Sequence, residues 1–182
     1  IYEVDDVADR IDAAYDFGLK RGLSTGFPTL DNHYTVELGQ WTLLTGIPGS
    51  GKSNFLDGLL VNLSKLHGWK HAIFSPENQP IDRYFSSLIE KAVGKAFNKT
   101  SNPSQRMTRA ELDEWKAWTN KYFKVILPDE EEGNWSIDGI LDLAKAAVYR
   151  YGIKSLVIDP WNEIDHKRPS GMTETEYISS AL

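Results

Sequence analysis

Cysteine is absent from all 182 residues. Its absence excludes disulfides and thiolate metal sites and agrees with a reducing compartment. No apolar run approaches the roughly 18 residues that a bilayer-spanning helix needs. The opening "IYEVDDVADR" is too acidic for a signal or transit peptide. The chain therefore reads as soluble and intracellular, with no membrane partner. Basic charge is also short, since 20 Lys and Arg stand against 26 Asp and Glu for a formal net charge of -6. No global positive field draws such a surface to nucleic acid, although a local channel stays open to it. There is no internal repeat and no "HExxH". His67 and His71 stand four apart, but Gly68 breaks the helix that would align them, so no structural zinc is expected.

What is present suits one folded domain that buries roughly two thirds of its unfolded surface. The chain is 41% hydrophobic and 25% charged, with six Trp, which argues against disorder. In "EVDDVADRIDAAYDFG" the residues Val4, Val7, Ala8, Ile11, Ala14 and Tyr15 recur at helical spacing and Gly18 closes the helix. Breakers at Gly22, Gly26 and Pro28 then give loop and turn. The expected division is an appended helix over 1–20 and a core over 21–182.

Beyond the breakers, strands and helices alternate. "WTLLT" (41–45), "HAIFS" (71–75), "FKVIL" (123–127) and "SLVID" (155–159) read as strands. Three segments between them read as helices: Lys52 to Leu66 with Leu56, Leu59, Leu60, Leu63 and Leu66 on one face, the segment from Ile81 to Val93, and the one with Ile137, Ile140, Leu141, Ala144, Ala147 and Val148. Thr108 and Glu111 have capping-box spacing and open a further helix. This alternation gives an α/β fold, a parallel sheet with helices on both faces. The acid run "DEEEG" (129–133) reads as a solvated loop.

"GIPGSGKS" (46–53) fits G-x-x-x-x-G-K-[ST] between an expected strand and an expected helix. Backbone N–H groups of such a loop curl around phosphates, and a Cβ at Gly49 or Gly51 would crowd that wrap. The helix N-terminus adds partial positive charge. Gly46, Pro48, Gly49, Ser50, Gly51, Lys52, Ser53 and Asn54 form the expected nucleotide site. Lys52 would reach the β- and γ-phosphates and Ser53 would ligate magnesium. ATP or another NTP with Mg2+ is the expected ligand pair.

Asp159 ends "LVID" at the C-terminal edge of a strand, where ligands of open α/β sheets bind. A carboxylate there can hold the magnesium together with Ser53. Two glutamates compete to orient the attacking water, Glu77 in "FSPEN" and Glu163 in "DPWNEID". Spacing alone does not separate them.

Together "GLSTGFPTLD", "GIPGSGKS", "FSPENQP", "LVIDPWNEIDHKRP" and "TETEYIS" resemble the RecA-like motor of hexameric replicative helicases. The likeness is closer to the Twinkle and phage primase-helicase branch than to bacterial DnaB, and it covers roughly Gly22 to Leu182. The resemblance implies a RecA-like P-loop NTPase fold, a catalytic Glu77 and a Walker B Asp159. It also places Asn162, His166, Lys167 and Arg168 in a loop facing a DNA channel, and makes the N-terminal helix a linker on a neighbouring subunit. The family's γ-phosphate sensor, main DNA-binding loop and arginine finger are not identifiable before Leu182, so the core is expected to be incomplete at that end.

The function so implied is ATP-driven translocation on single-stranded DNA with duplex unwinding, by a homo-hexamer in the full-length form, with a primase fused or in partnership. Alternatives are a RecA-type recombinase forming an open filament and a non-catalytic ATP-gated loader or scaffold. A small-molecule phosphotransferase is disfavoured because no arginine-bearing lid is found. The expected location is the cytoplasm of a bacterial or phage-infected cell, or an organelle matrix in a eukaryote.

Overall fold

The computed structural model describes residues 1–18, 21–127, 136–161, 164 and 173. It divides into two compact units, Ile1–Leu43 and Leu44–Leu182. In the first, a 3-10 turn over Val4–Val7 leads into α1, Ala8–Phe17, which ends at Gly18 with φ of 79°. No residue of α1 is buried. The breakers that follow are organised around one carboxylate. Asp31 closes the single-turn α2, Pro28–Asp31, and accepts hydrogen bonds from Ser24 Oγ at 2.5 Å, Thr25 N at 2.7 Å and Thr25 Oγ1 at 2.6 Å. These bonds, the one from Ser24 foremost, hold its pKa below the usual aspartate value. An antiparallel bridge between Leu23 and Val36 closes the loop.

The second unit is an α/β layer structure. Helices α3 (Lys52–His67), α4 (Ile81–Val93), α5 (Arg109–Tyr122) and α6 (Ile137–Tyr151) alternate with strands β1 (His71–Phe74), β2 (Phe123–Ile126) and β3 (Ser155–Ile158). The sheet is wholly parallel in the order β2-β1-β3, with His71 in register with Phe123 on one side and Ser155 on the other. The central β1 is buried along its whole length, as a strand covered on both faces must be. Its side chains alternate with period two. Ala72 and Phe74 pack with Ile140, Ala144 and Ala147 of α6. Ile73 packs with Leu60 and Val61 of α3 and with Tyr84, Leu88 and Ala92 of α4.

Two expectations are corrected here. Trp41–Thr45 forms no strand, and Trp41 and Leu43 are each 65% exposed. A strand exists only where a second backbone completes its hydrogen bonds, and no described residue pairs with this run. The helical stripes are also narrower than their apolar content suggests. Leu66, Leu141 and Val148 are exposed, because a helix face wide enough to meet a three-stranded sheet needs only part of that arc. On α6 the contact falls on Ile140, Ala144 and Ala147, the two alanines being small enough to allow close approach. The capping box of Thr108 and Glu111 forms as expected.

Candidate active site

The loop from Gly46 to Gly51 leads directly into α3, whose first residue is Lys52. Gly49 and Gly51 have φ of 74° and 86°, a region that L side chains rarely adopt. Nothing lies within 4 Å of where a Cβ would stand on either residue. The backbone angle therefore calls for glycine at both positions. Ser50 N donates to Ile47 O at 3.3 Å and turns the loop. Lys52 folds back along it, with Nζ donating to Gly46 O at 2.9 Å and Ile47 O at 3.1 Å. The first-turn amides of a 16-residue helix and this ammonium thus sit at one end of the loop, a donor set suited to phosphate oxygens.

Glu77 lies in the turn after β1 and is exposed. The turn is fixed by Asn78, whose N donates to Ser75 O at 3.2 Å and whose Nδ2 donates to Ser75 Oγ at 2.8 Å. Ser53, Asn54 and Glu77 open on one cavity of about 310 Å³, together with Asp57, Tyr84 and Lys91. Residues drawn from the loop-helix junction and from the far end of β1 thus meet at the C-terminal edge of the sheet.

Asp159 follows β3 at the same edge. Its N–H donates to Phe74 O at 2.9 Å, extending the β1 pairing by one residue. Its charge acts on Asp57 and Tyr84, which places it within electrostatic reach of the same helices. A hydroxyl at Ser53 and a carboxylate at Asp159 are oxygen donors of the kind magnesium prefers. Glu163 and the channel-loop candidates Asn162, His166, Lys167 and Arg168 lie outside the described residues, as does the acid run 129–133.

Sequence reasoning missed Asp57, Tyr84 and Lys91. Asp57 is 8% exposed, with Tyr84 Oη donating to Oδ1 at 3.1 Å and Lys91 Nζ to Oδ2 at 3.1 Å. Burial pushes the Asp57 carboxyl up, opposed by the Lys91 charge and by both hydrogen bonds. The available signal was an acid on the apolar face of a helix, between Leu56 and Leu60.

Over its whole length the chain is 46% identical to part of the Twinkle homolog protein, chloroplastic/mitochondrial, of Arabidopsis thaliana, across 186 aligned residues. The chain spans 26% of that relative's length. No family model matches the chain, and no solved structure matches it.

Proposed function

We propose that this chain, which belongs to the Twinkle-like branch of the RecA-fold replicative helicases, is the ATP-binding part of a motor that translocates on single-stranded DNA and unwinds duplex. The observation that carries the reading is the convergence of Ser53, Asn54 and Glu77 on one cavity, beside a glycine loop whose angles suit phosphate wrapping. Gly46 to Asn54 hold the triphosphate through backbone N–H groups. Lys52 exchanges its bonds to the Gly46 and Ile47 carbonyls for phosphate oxygens. Ser53 and Asp159 would hold a magnesium ion, which would supply positive charge against the phosphates. Glu77 orients or deprotonates the attacking water.

At the level of the whole protein, the reading includes a homo-hexamer with single-stranded DNA in its channel and a fused or partner primase. The loop bearing Asn162, His166, Lys167 and Arg168 contacts the strand. Residues 1–20 act as a linker on the neighbouring subunit and 21–182 as the motor core. The relative is named as chloroplastic and mitochondrial, which supports an organelle matrix for this chain. Among the described residues no helix is long and apolar enough to cross a membrane.

Two substitutions test the reading together. Lys52→Ala should weaken ATP binding by about 1 to 3 kcal/mol, the range for charge-assisted hydrogen bonds. Glu77→Gln in the whole protein should leave binding nearly intact while cutting turnover by about 10² to 10⁴. Unchanged calorimetric affinity in Lys52→Ala overturns the phosphate site. Loss of turnover in Glu163→Gln and not in Glu77→Gln moves the water-activating role to Glu163.

A further inference from the structure

On α3 one helical turn separates Ser53 from Asp57, so both project from the same side. On α4, Tyr84 and Lys91 stand seven residues apart, about two turns, and again share a face. The Asp57 carboxylate grips both, one oxygen for each partner. Lys91 is seated further by its bond to Ser87 Oγ at 2.6 Å. A carboxylate that holds two residues about two turns apart on a facing helix constrains that helix in rotation and in height.

Stability alone is a poor reason for such a pair. Desolvation of two charges offsets much of their attraction, and apolar replacements of similar volume are often neutral or better. What α4 carries at its start is more telling. It begins at Ile81, immediately after the Glu77 to Pro80 segment, and the Glu77 carboxylate makes no hydrogen bond or ion pair to a described residue. The Glu77 segment is anchored at its two ends, by Asn78 on Ser75 and by the first turn of α4. Moving α4 against α3 therefore moves Glu77 against Ser53, and all five residues of this geometry line the same cavity.

We propose that Asp57 is a positioning residue: through Tyr84 and Lys91 it sets where Glu77 stands relative to Ser53, and so governs water activation and not nucleotide affinity. The inference rests on the roles given above to Glu77 and Ser53. It predicts a loss in kcat with KM preserved, since a displaced base weakens the reacting arrangement and leaves the phosphate loop untouched.

The test uses the whole protein, with Asp57→Asn, the apolar pair Asp57→Leu with Lys91→Met, and Glu77→Gln as reference. Corrected for folded fraction by thermal melts, Asp57→Asn and the apolar pair should each lower kcat by about tenfold or more, with KM for ATP within about threefold of the parent. In the Glu77→Gln background Asp57→Asn should add little, because it acts through the residue already removed. If Asp57→Asn does not fold, the apolar pair decides the matter. An apolar pair with parental melting temperature and parental kcat leaves Asp57 a packing role and overturns the proposal. A loss that adds in full on Glu77→Gln does the same. Should Glu77→Gln itself turn over like the parent, the role given to Glu77 fails and the positioning role falls with it. Should Glu77→Gln be inactive while the Asp57 variants are parental, the positioning role alone fails.

Discussion

His71 shows how one buried residue ties several elements and sets a pH limit. Ser64 Oγ donates to Trp69 O at 3.0 Å, so its oxygen accepts from His71 Nε2, 3.0 Å away. His71 Nδ1 then accepts from Ser155 Oγ at 2.6 Å. The ring is neutral and joins α3, β1 and β3. Burial pushes its pKa from 6.5 down to about 4, against a smaller opposing effect of the Leu60 carbonyl. The unfolded chain binds a proton more readily than the folded one between these values. The neutral ring's contribution is therefore complete above pH 6.5 and is lost as pH falls toward 4, by about 3 kcal/mol in all. Chemical denaturation of the parent should show stability falling already between pH 6.5 and 5, and His71→Asn should flatten that part of the curve. A parent curve level across that window contradicts the assignment.

Among the elements, α5 depends most visibly on its first turn. Thr108 Oγ1 accepts from Glu111 N at 3.2 Å and Glu111 Oε2 accepts from Thr108 N at 2.7 Å, which satisfies two amides that the helix leaves unpaired. Lys95 Nζ reaches the other carboxylate oxygen at 2.5 Å. With the Lys95 bond foremost and the Thr108 bonds behind it, the Glu111 carboxyl is held down to about 2. Thr108→Ala should cost about 1 kcal/mol, read as a lower denaturation midpoint with unchanged slope, and an unmoved midpoint would deny the cap any weight. The box was legible from Thr108 and Glu111 because capping is a contact between residues three apart. The single-turn α2 was not, since its organising bonds run from Ser24 and Thr25 forward to Asp31 across two breakers.

For the whole molecule, the exposed apolar side chains of the N-terminal segment make the assembly reading testable. Ile11 and Tyr15 are exposed on one face of α1, a stripe that the proposed linker role buries on another subunit. Removing residues 1–20 from the full-length protein should abolish the proposed hexamer in light scattering and leave a folded monomer. Hexamers that persist without the segment refute the linker.

The sequence by itself determined the parallel α/β architecture, the helix spans and the glycine loop, because periodicity, capping and φ preference act between residues a few positions apart. The resemblance of "STGFPTLD", "GIPGSGKS" and "FSPENQP" to the helicase motors reached further, to the family. Tertiary structure decided what depends on partners distant in the chain. It left Trp41 and Leu43 outside any strand, where strand propensity met no second backbone among the described residues, and it chose Ala144 over Leu141 for the sheet contact on α6. It also brought Asp57 to Lys91, 34 residues away. A charge in an apolar stripe carries no mark of which cation will meet it. Only the packing of α3 on α4 supplies that, and with it the anchoring of the helix that starts after Glu77.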